Sequence, residues 1–236
     1  MTAQSPPGMQ NRAARIAGAL YLATMATALF GEGYVRGSLL VGESASKTAQ
    51  NIIDSEQLFR IGVATDLLTF AGVVVLVWAL YRLLEPVDSR LALLAVFFRL
   101  VEGGVHFSAT VFSLIALSFL SGGEYVKGFE AGQLHGLAGF ALRAQGAGLI
   151  LGFIPLGIGS AIFAVLLLRS AYVPRLLAGW GILASALLAT YAMSLVLFPA
   201  TRDFFYFGMI PMFIYEVSLG LWLLIKGVNV RSTGAA

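Results

Sequence analysis

Apolar residues run through the chain in long stretches separated by short polar breaks. A helix that crosses a bilayer needs about 20 predominantly apolar residues, and six stretches meet that length. They fall at roughly Ala13–Gly33, Glu56–Leu84, Leu91–Leu120, Leu137–Leu168, Arg175–Phe198 and Phe204–Lys226. Several exceed the minimum, which implies tilt or extension past the bilayer. Asp54, with Gln57 three residues on, reads as an N-cap for the second stretch. The segment SASKTAQNIIDSEQL before it fits either a short amphipathic helix on the membrane interface or a capped connecting loop. The pattern predicts an all-α, polytopic membrane helix bundle with six transmembrane helices. Residues 13–226 form the transmembrane domain, 1–12 a disordered cytoplasmic N-terminus and 227–236 a cytoplasmic tail.

Orientation follows from the cations at the breaks. With both termini cytoplasmic, Arg12, Arg15, Arg82, Arg90, Arg169, Arg175, Lys226 and Arg231 lie inside, and Arg36, Lys47, Lys127 and Arg202 lie outside. Arg12, Arg15 and the following apolar run with Ala26-Thr27-Ala28 have the outline of a signal peptide. Leu29 and Phe30 continue the run, which favours a retained first helix.

Composition sharpens the class. Of 236 residues, 58% are hydrophobic and 11% charged, and the mean hydropathy is +0.87. A water-soluble domain carries roughly 25% charged residues. The chain has no cysteine, which excludes disulfides, thiol catalysis and cysteine-ligated metal or iron–sulfur centres. The net charge of +3 is dispersed and gives no support to a nucleic-acid partner.

Against this apolar background, FFRLVEGGVHF (residues 97–107) stands out. At about 100° per residue, Arg99, Glu102, His106, Thr110 and Ser113 fall on one stripe of the third helix. Phe97, Val101, Val105, Val111, Phe112 and Ile115 form the opposite face. Ionisable groups within a membrane span face protein or water rather than lipid, so the stripe turns inward. Gly62, Asp66 and Thr69 share a face of the second helix, with Asp66 near mid-membrane. Glu216 follows Pro211 in the sixth, and Arg143 and Gln145 sit in the outer half of the fourth. The expected intramembrane polar network is Asp66, Arg99, Glu102, His106, Arg143 and Glu216. With Arg60 included, the intramembrane set has three cations and three anions.

Such a set reads in two ways: as ion pairs that fix helix rotation, or as the lining of a polar cavity. No catalytic residue, cofactor or metal site is assigned. The two histidines, His106 and His135, differ in depth by about 15 Å, which argues against a bis-histidine haem. Zinc at Glu102, His106, Asp66 and Glu216 suits the ligand types but lacks a supporting spacing. In the fourth helix, Ala144, Gly148 and Gly152 form a small-residue row that admits a neighbouring helix, in this chain or in a second copy. Pro155 is expected to kink the same helix.

Four short motifs carry a resemblance. Arg15-Ile16-Ala17-Gly18 with Tyr21-Leu22 comes first, then Leu58-Phe59-Arg60-Ile61-Gly62 with Asp66-Leu67. Phe98-Arg99-Leu100-Val101-Glu102 and Arg169-Ser170-Ala171-Tyr172-Val173-Pro174-Arg175 follow in order. Together they resemble a bacterial membrane family catalogued as a domain of unknown function, number 4386. The family tends to carry His and Asp near the start of its fourth helix, where this chain has Arg143, Ala144 and Gln145. The resemblance implies a bacterial inner-membrane location and no defined activity. The sequence itself points to a small transporter or permease-like binder, with the bilayer and a small-molecule ligand as partners. The alternatives are an intramembrane enzyme acting on a lipid or quinone with Glu102 and His106 as acid and base, and a non-catalytic membrane partner or sensor.

Overall fold

The computed structural model describes residues 7–42, 44–198 and 205–229, and no strand occurs among them. Helix α1 spans Pro7–Ala28. It passes into a π-helical segment, Leu29–Arg36, and a last α-helical turn, Gly37–Leu39. Helix α2 covers Ala45–Asp54, α3 Glu56–Leu120, α4 Ala131–Ser170, α5 Arg175–Leu197 and α6 Phe205–Ile225. A 3-10 turn, Glu124–Val126, lies between α3 and α4. Five of these stretches are long and apolar enough to cross a membrane, and α3 is one of the five although it runs for 65 residues.

The length of α3 is explained by a break. Asp88 has φ −160° and ψ 100°, two residues after Pro86. Pro86 supplies no N–H to the preceding turn. Asp88 in turn caps the next arm, because its Oδ1 accepts from the backbone N–H of Arg90 (3.1 Å) and Leu91 (3.0 Å), as an N-cap side chain does. The two arms correspond to the second and third apolar stretches of the sequence.

Two local expectations are revised and one open alternative is decided. Asp54 is not the cap of α3: it closes α2 and accepts from Gln50 at 2.8 Å. Ser55 stands at the cap position of α3 without a side-chain bond. Of the two forms open to SASKTAQNIIDSEQL, the structure takes the helical one over Ala45–Asp54. Ser44 caps it by accepting from the Lys47 N–H, and the helix buries Thr48, Ala49 and Ile52. The first helix begins at Pro7, where a missing N–H costs nothing, and not at Ala13. Residues 1–6 and the STGAA tail lie outside the described residues. Helix α4 runs on through Pro155.

The chain divides into two compact units. Unit 1 comprises residues 1–23, 72–103 and 151–236, and unit 2 residues 24–71 and 104–150. Unit 1 has a core of Leu76, Leu80, Leu83, Leu84, Phe163, Leu166, Leu167, Leu188, Tyr215 and Leu219. Its helices approach closely at glycines: a Cβ on Gly18 would strike the backbone of Gly220 and Leu224, and one on Gly157 the Ser185 carbonyl. Unit 2 has a smaller core of Val35, Leu39, Ile52, Phe59, Val63, Ala116, Leu117 and Leu142. The small-residue row of α4 is used there within the chain, since Gly148 packs against Ala109 with no room for a methyl group.

Candidate functional site: two buried polar clusters

In unit 2, three successive positions of α3 meet three of the first helix. Thr69 donates to the Thr27 hydroxyl at 2.7 Å. A Cβ on Gly31 would stand 2.7 Å from Asp66 Oδ1, and one on Gly62 would stand 2.8 Å from Val35. Gly62, Asp66 and Thr69 share a face because they are spaced four and three apart. The two glycines thin the seam, so the backbones come close enough for Asp66 to reach across it.

Arg36 fills that seam. Its guanidinium takes both oxygens of Asp66, Nη1 to Oδ1 at 3.2 Å and Nη2 to Oδ2 at 2.5 Å. Such two-pronged, charge-assisted pairing is the strongest arrangement open to an arginine. Nη1 also lies 3.0 Å from Glu32 Oε1, and Nη2 donates to the Ser113 hydroxyl at 3.3 Å. Gln145 of α4 donates to Glu32 Oε1 at 3.0 Å. Arg36 and Asp66 are buried, at 3% and 5% exposure. The Glu32 side chain is 37% exposed, so the cluster has one carboxylate at its rim and one in its depth. Arg36 Nε is buried without a hydrogen-bond partner.

The segment that carries Glu32 and Arg36 is itself unusual. All eight residues of Leu29–Arg36 are π-helical. π-helix is rare, occurs mostly as single bulged turns and is concentrated at functional sites. Its i→i+5 bonding widens each turn, which changes the angular register of everything after Ala28. Arg36 is buried on this segment with Gly31 and Val35 on the seam beside it, and Glu32, four residues before Arg36, pairs with it from the rim.

His106 also belongs to unit 2. Its Nε2 lies 3.1 Å from the Leu149 carbonyl, and its ring is tilted against Phe70 at a centroid distance of 6.0 Å. With the proton on Nε2, the imidazole donates to that carbonyl. Thr110 is buried one turn on and returns its hydroxyl to the His106 carbonyl at 3.1 Å.

The second cluster belongs to unit 1. Arg99 Nη1 lies 3.0 Å from Glu102 Oε2, one turn along the same helix, and 3.4 Å from the Ser160 hydroxyl of α4. Glu216 of α6 is the second carboxylate in its field, and Tyr21 and Tyr215 complete the surroundings. Gly159 makes room for the arginine stem, since a Cβ there would lie 2.9 Å from Arg99 Cγ.

The six sequence-predicted network residues are therefore distributed as follows. Arg99, Glu102 and Glu216 lie in unit 1, and Asp66 and His106 in unit 2. Arg143 is exposed and joins neither cluster. Arg60, counted among the intramembrane cations, is also exposed and pairs with Glu56 at 2.7 Å. Arg36, expected in an outer loop, is the centre of the unit 2 cluster. Glu32 and Ser160 were not singled out at all. The signal for Arg36 and Glu32 was their four-residue spacing together with Asp66, a buried acid with no cation on its own helix face. Among the described residues, no group of three or more His, Asp or Glu side chains is placed to hold a metal ion.

A family model described as "Domain of unknown function (DUF4386)" matches residues 16–227. No curated protein and no solved structure matches the chain significantly.

Proposed function

The chain belongs to the DUF4386 family, whose description states no activity, and from the geometry we propose that it is a small integral membrane transporter or permease-like binder of a small polar molecule. In this reading the chain crosses the bacterial inner membrane six times, with both termini in the cytoplasm. The break at Asp88 supports six crossings, because each arm of α3 is long enough to span alone at about 1.5 Å per residue. The paired cations at the cytoplasmic breaks support the orientation.

One observation carries the transport reading: a partly exposed carboxylate, Glu32, stands at the rim of a buried Arg36–Asp66 pair on a π-helical segment. A third charged group adds to the pair by its contact with Arg36, but packing alone does not call for it to be placed at an opening. A binding site does, since the rim group meets the ligand and the buried pair holds the polarity of the site. The unit 1 cluster, with Arg99 and Glu102 both buried, is read as the packing counterpart.

The native absence of cysteine gives a direct test. Glu32→Cys in intact membranes is exposed to a charged, membrane-impermeant methanethiosulfonate reagent. If water reaches the rim, the thiol is modified, while Leu114→Cys, on an exposed apolar position of the same unit, resists. Failure of the folded Glu32→Cys protein to react overturns the reading, because the carboxylate then faces no aqueous path.

A further inference from the structure

We propose that an open groove along the first turns of α1 binds the headgroup of an anionic phospholipid, with Arg12 and Arg15 on its phosphate. The inference does not depend on transport. The groove is a cavity of about 450 Å³ lined by Gly8, Asn11, Arg12, Arg15, Ile16 and Ala19. Arg12 and Arg15 are three residues apart, so their side chains emerge on one face about a turn apart. Both are exposed, and among the described residues no carboxylate pairs with either. Arg82 of the same unit differs in this respect, being held by Glu85 at 2.5 Å.

The frame around the groove is fixed. Gln10 donates to the Tyr172 hydroxyl at 3.1 Å, and Asn229 donates its backbone N–H to the Tyr172 carbonyl at 3.2 Å. Asn11 Oδ1 accepts from the Val228 N–H at 3.0 Å, which leaves the amide NH₂ of Asn11 as a donor. Gly227, at φ +68°, sits against the Asn11 side-chain oxygen, which a Cβ there would crowd. These bonds gather the segments bearing Arg169, Arg175 and Lys226, all exposed, at the end of unit 1 that holds the groove. The result is a concentration of cations around a pair of unpaired arginines.

The shape favours a lipid over a free anion. Ile16 and Ala19 form the lower wall, and the apolar run of α1 begins at Ile16. A phosphodiester headgroup held by the arginines would leave its acyl chains along that wall. Among the described residues nothing lies within 4 Å of a Cβ built on Gly8, and an inorganic phosphate would gain nothing from the apolar wall. Basic pockets at helix ends bind anionic headgroups in this manner, each cation adding a favourable increment.

The purified protein in detergent is titrated with dioleoylphosphatidylglycerol, dioleoylphosphatidylcholine or inorganic phosphate. Bound lipid is counted by native mass spectrometry and thermal unfolding is followed in parallel. We expect phosphatidylglycerol to be retained in preference to phosphatidylcholine. Arg12→Gln/Arg15→Gln should weaken it by roughly tenfold or more, with each single substitution intermediate, and Arg90→Gln, an exposed cation outside the groove, should leave it unchanged. Equal retention of the two lipids, an unchanged double variant, or equal stabilisation by inorganic phosphate would each overturn the proposal. Both arginines are exposed and the single variants carry the same test, so loss of folding in the double variant does not protect it.

Discussion

Replacing Asp66 by leucine strands the Arg36 guanidinium in the seam of unit 2. Removing one partner of a buried ion pair costs about 3–5 kcal/mol, because the remaining charge keeps its desolvation penalty without its compensation. Here the lower end applies, since Glu32 Oε1 remains 3.0 Å from Nη1 and the Ser113 hydroxyl 3.3 Å from Nη2. The expected loss for Asp66→Leu is therefore about 3 kcal/mol. Glu32→Gln should cost below about 1 kcal/mol, because the Glu32 side chain is 37% exposed and solvent screens its share. The double variant Arg36→Met/Asp66→Leu removes both charges and should recover most of the loss, as matched apolar groups do in other buried pairs. The assay is a double-mutant cycle on denaturant unfolding in detergent, followed by far-ultraviolet circular dichroism. Tryptophan emission is unsuitable, because Trp78, Trp180 and Trp222 all lie in unit 1. If Asp66→Leu loses no more than Glu32→Gln, the guanidinium is hydrated and the pair is not a buried one. If the double variant is no more stable than Asp66→Leu, the loss is one of shape and the electrostatic account fails.

Two backbone predictions follow from the same unit and from the end of α4. Gly31→Ala places a methyl group 2.7 Å from Asp66 Oδ1 and should destabilise by about 1–3 kcal/mol, the usual range for overpacking; Gly33→Ala, with nothing within 4 Å of its Cβ, should be neutral or slightly stabilising in the same unfolding assay. Ala171 has φ +54°, a left-handed conformation that costs an L-residue about 1 kcal/mol, so Ala171→Gly should raise the denaturation midpoint rather than lower it.

The apolar stretches were legible because hydropathy over about 20 residues is averaged and survives errors at individual positions. The inward stripe Arg99, Glu102, His106, Thr110 and Ser113 was legible for a related reason: all five lie on one α-helical face, and all five are buried. Partner choice was not legible. Arg60 and Arg143 fall within apolar segments, yet the face of the helix, not the segment, decides exposure, and both are exposed. The apolar stretch of the first helix ends near Gly33 in the sequence, short of Arg36. The structure instead continues helical winding to Leu39 with a π segment between. Arg36 lies past the end of the apolar stretch and so reads as an outer-side residue, and a period of 3.6 residues would also misassign faces across a π segment.

Each cluster is centred on one arginine that contacts a carboxylate and a serine hydroxyl. They differ in how the pairing is made. Arg99 and Glu102 are one turn apart on a single helix, so their contact is available to that helix before any packing occurs. It neutralises charge but specifies little about which helix lies alongside. Arg36 and Asp66 are 30 residues apart, and their contact exists only when the first helix and α3 have the register fixed by Gly31 and Gly62. That pair also depends on the π segment, since a regular α-helix after Ala28 would turn Arg36 away from the seam. A segment whose winding decides whether a buried charge is paired is the part of unit 2 where a small change in backbone geometry has the largest electrostatic consequence. Glu32 lies inside that segment and at the rim, so a ligand that engaged Glu32 would act directly on the winding that holds Arg36 against Asp66.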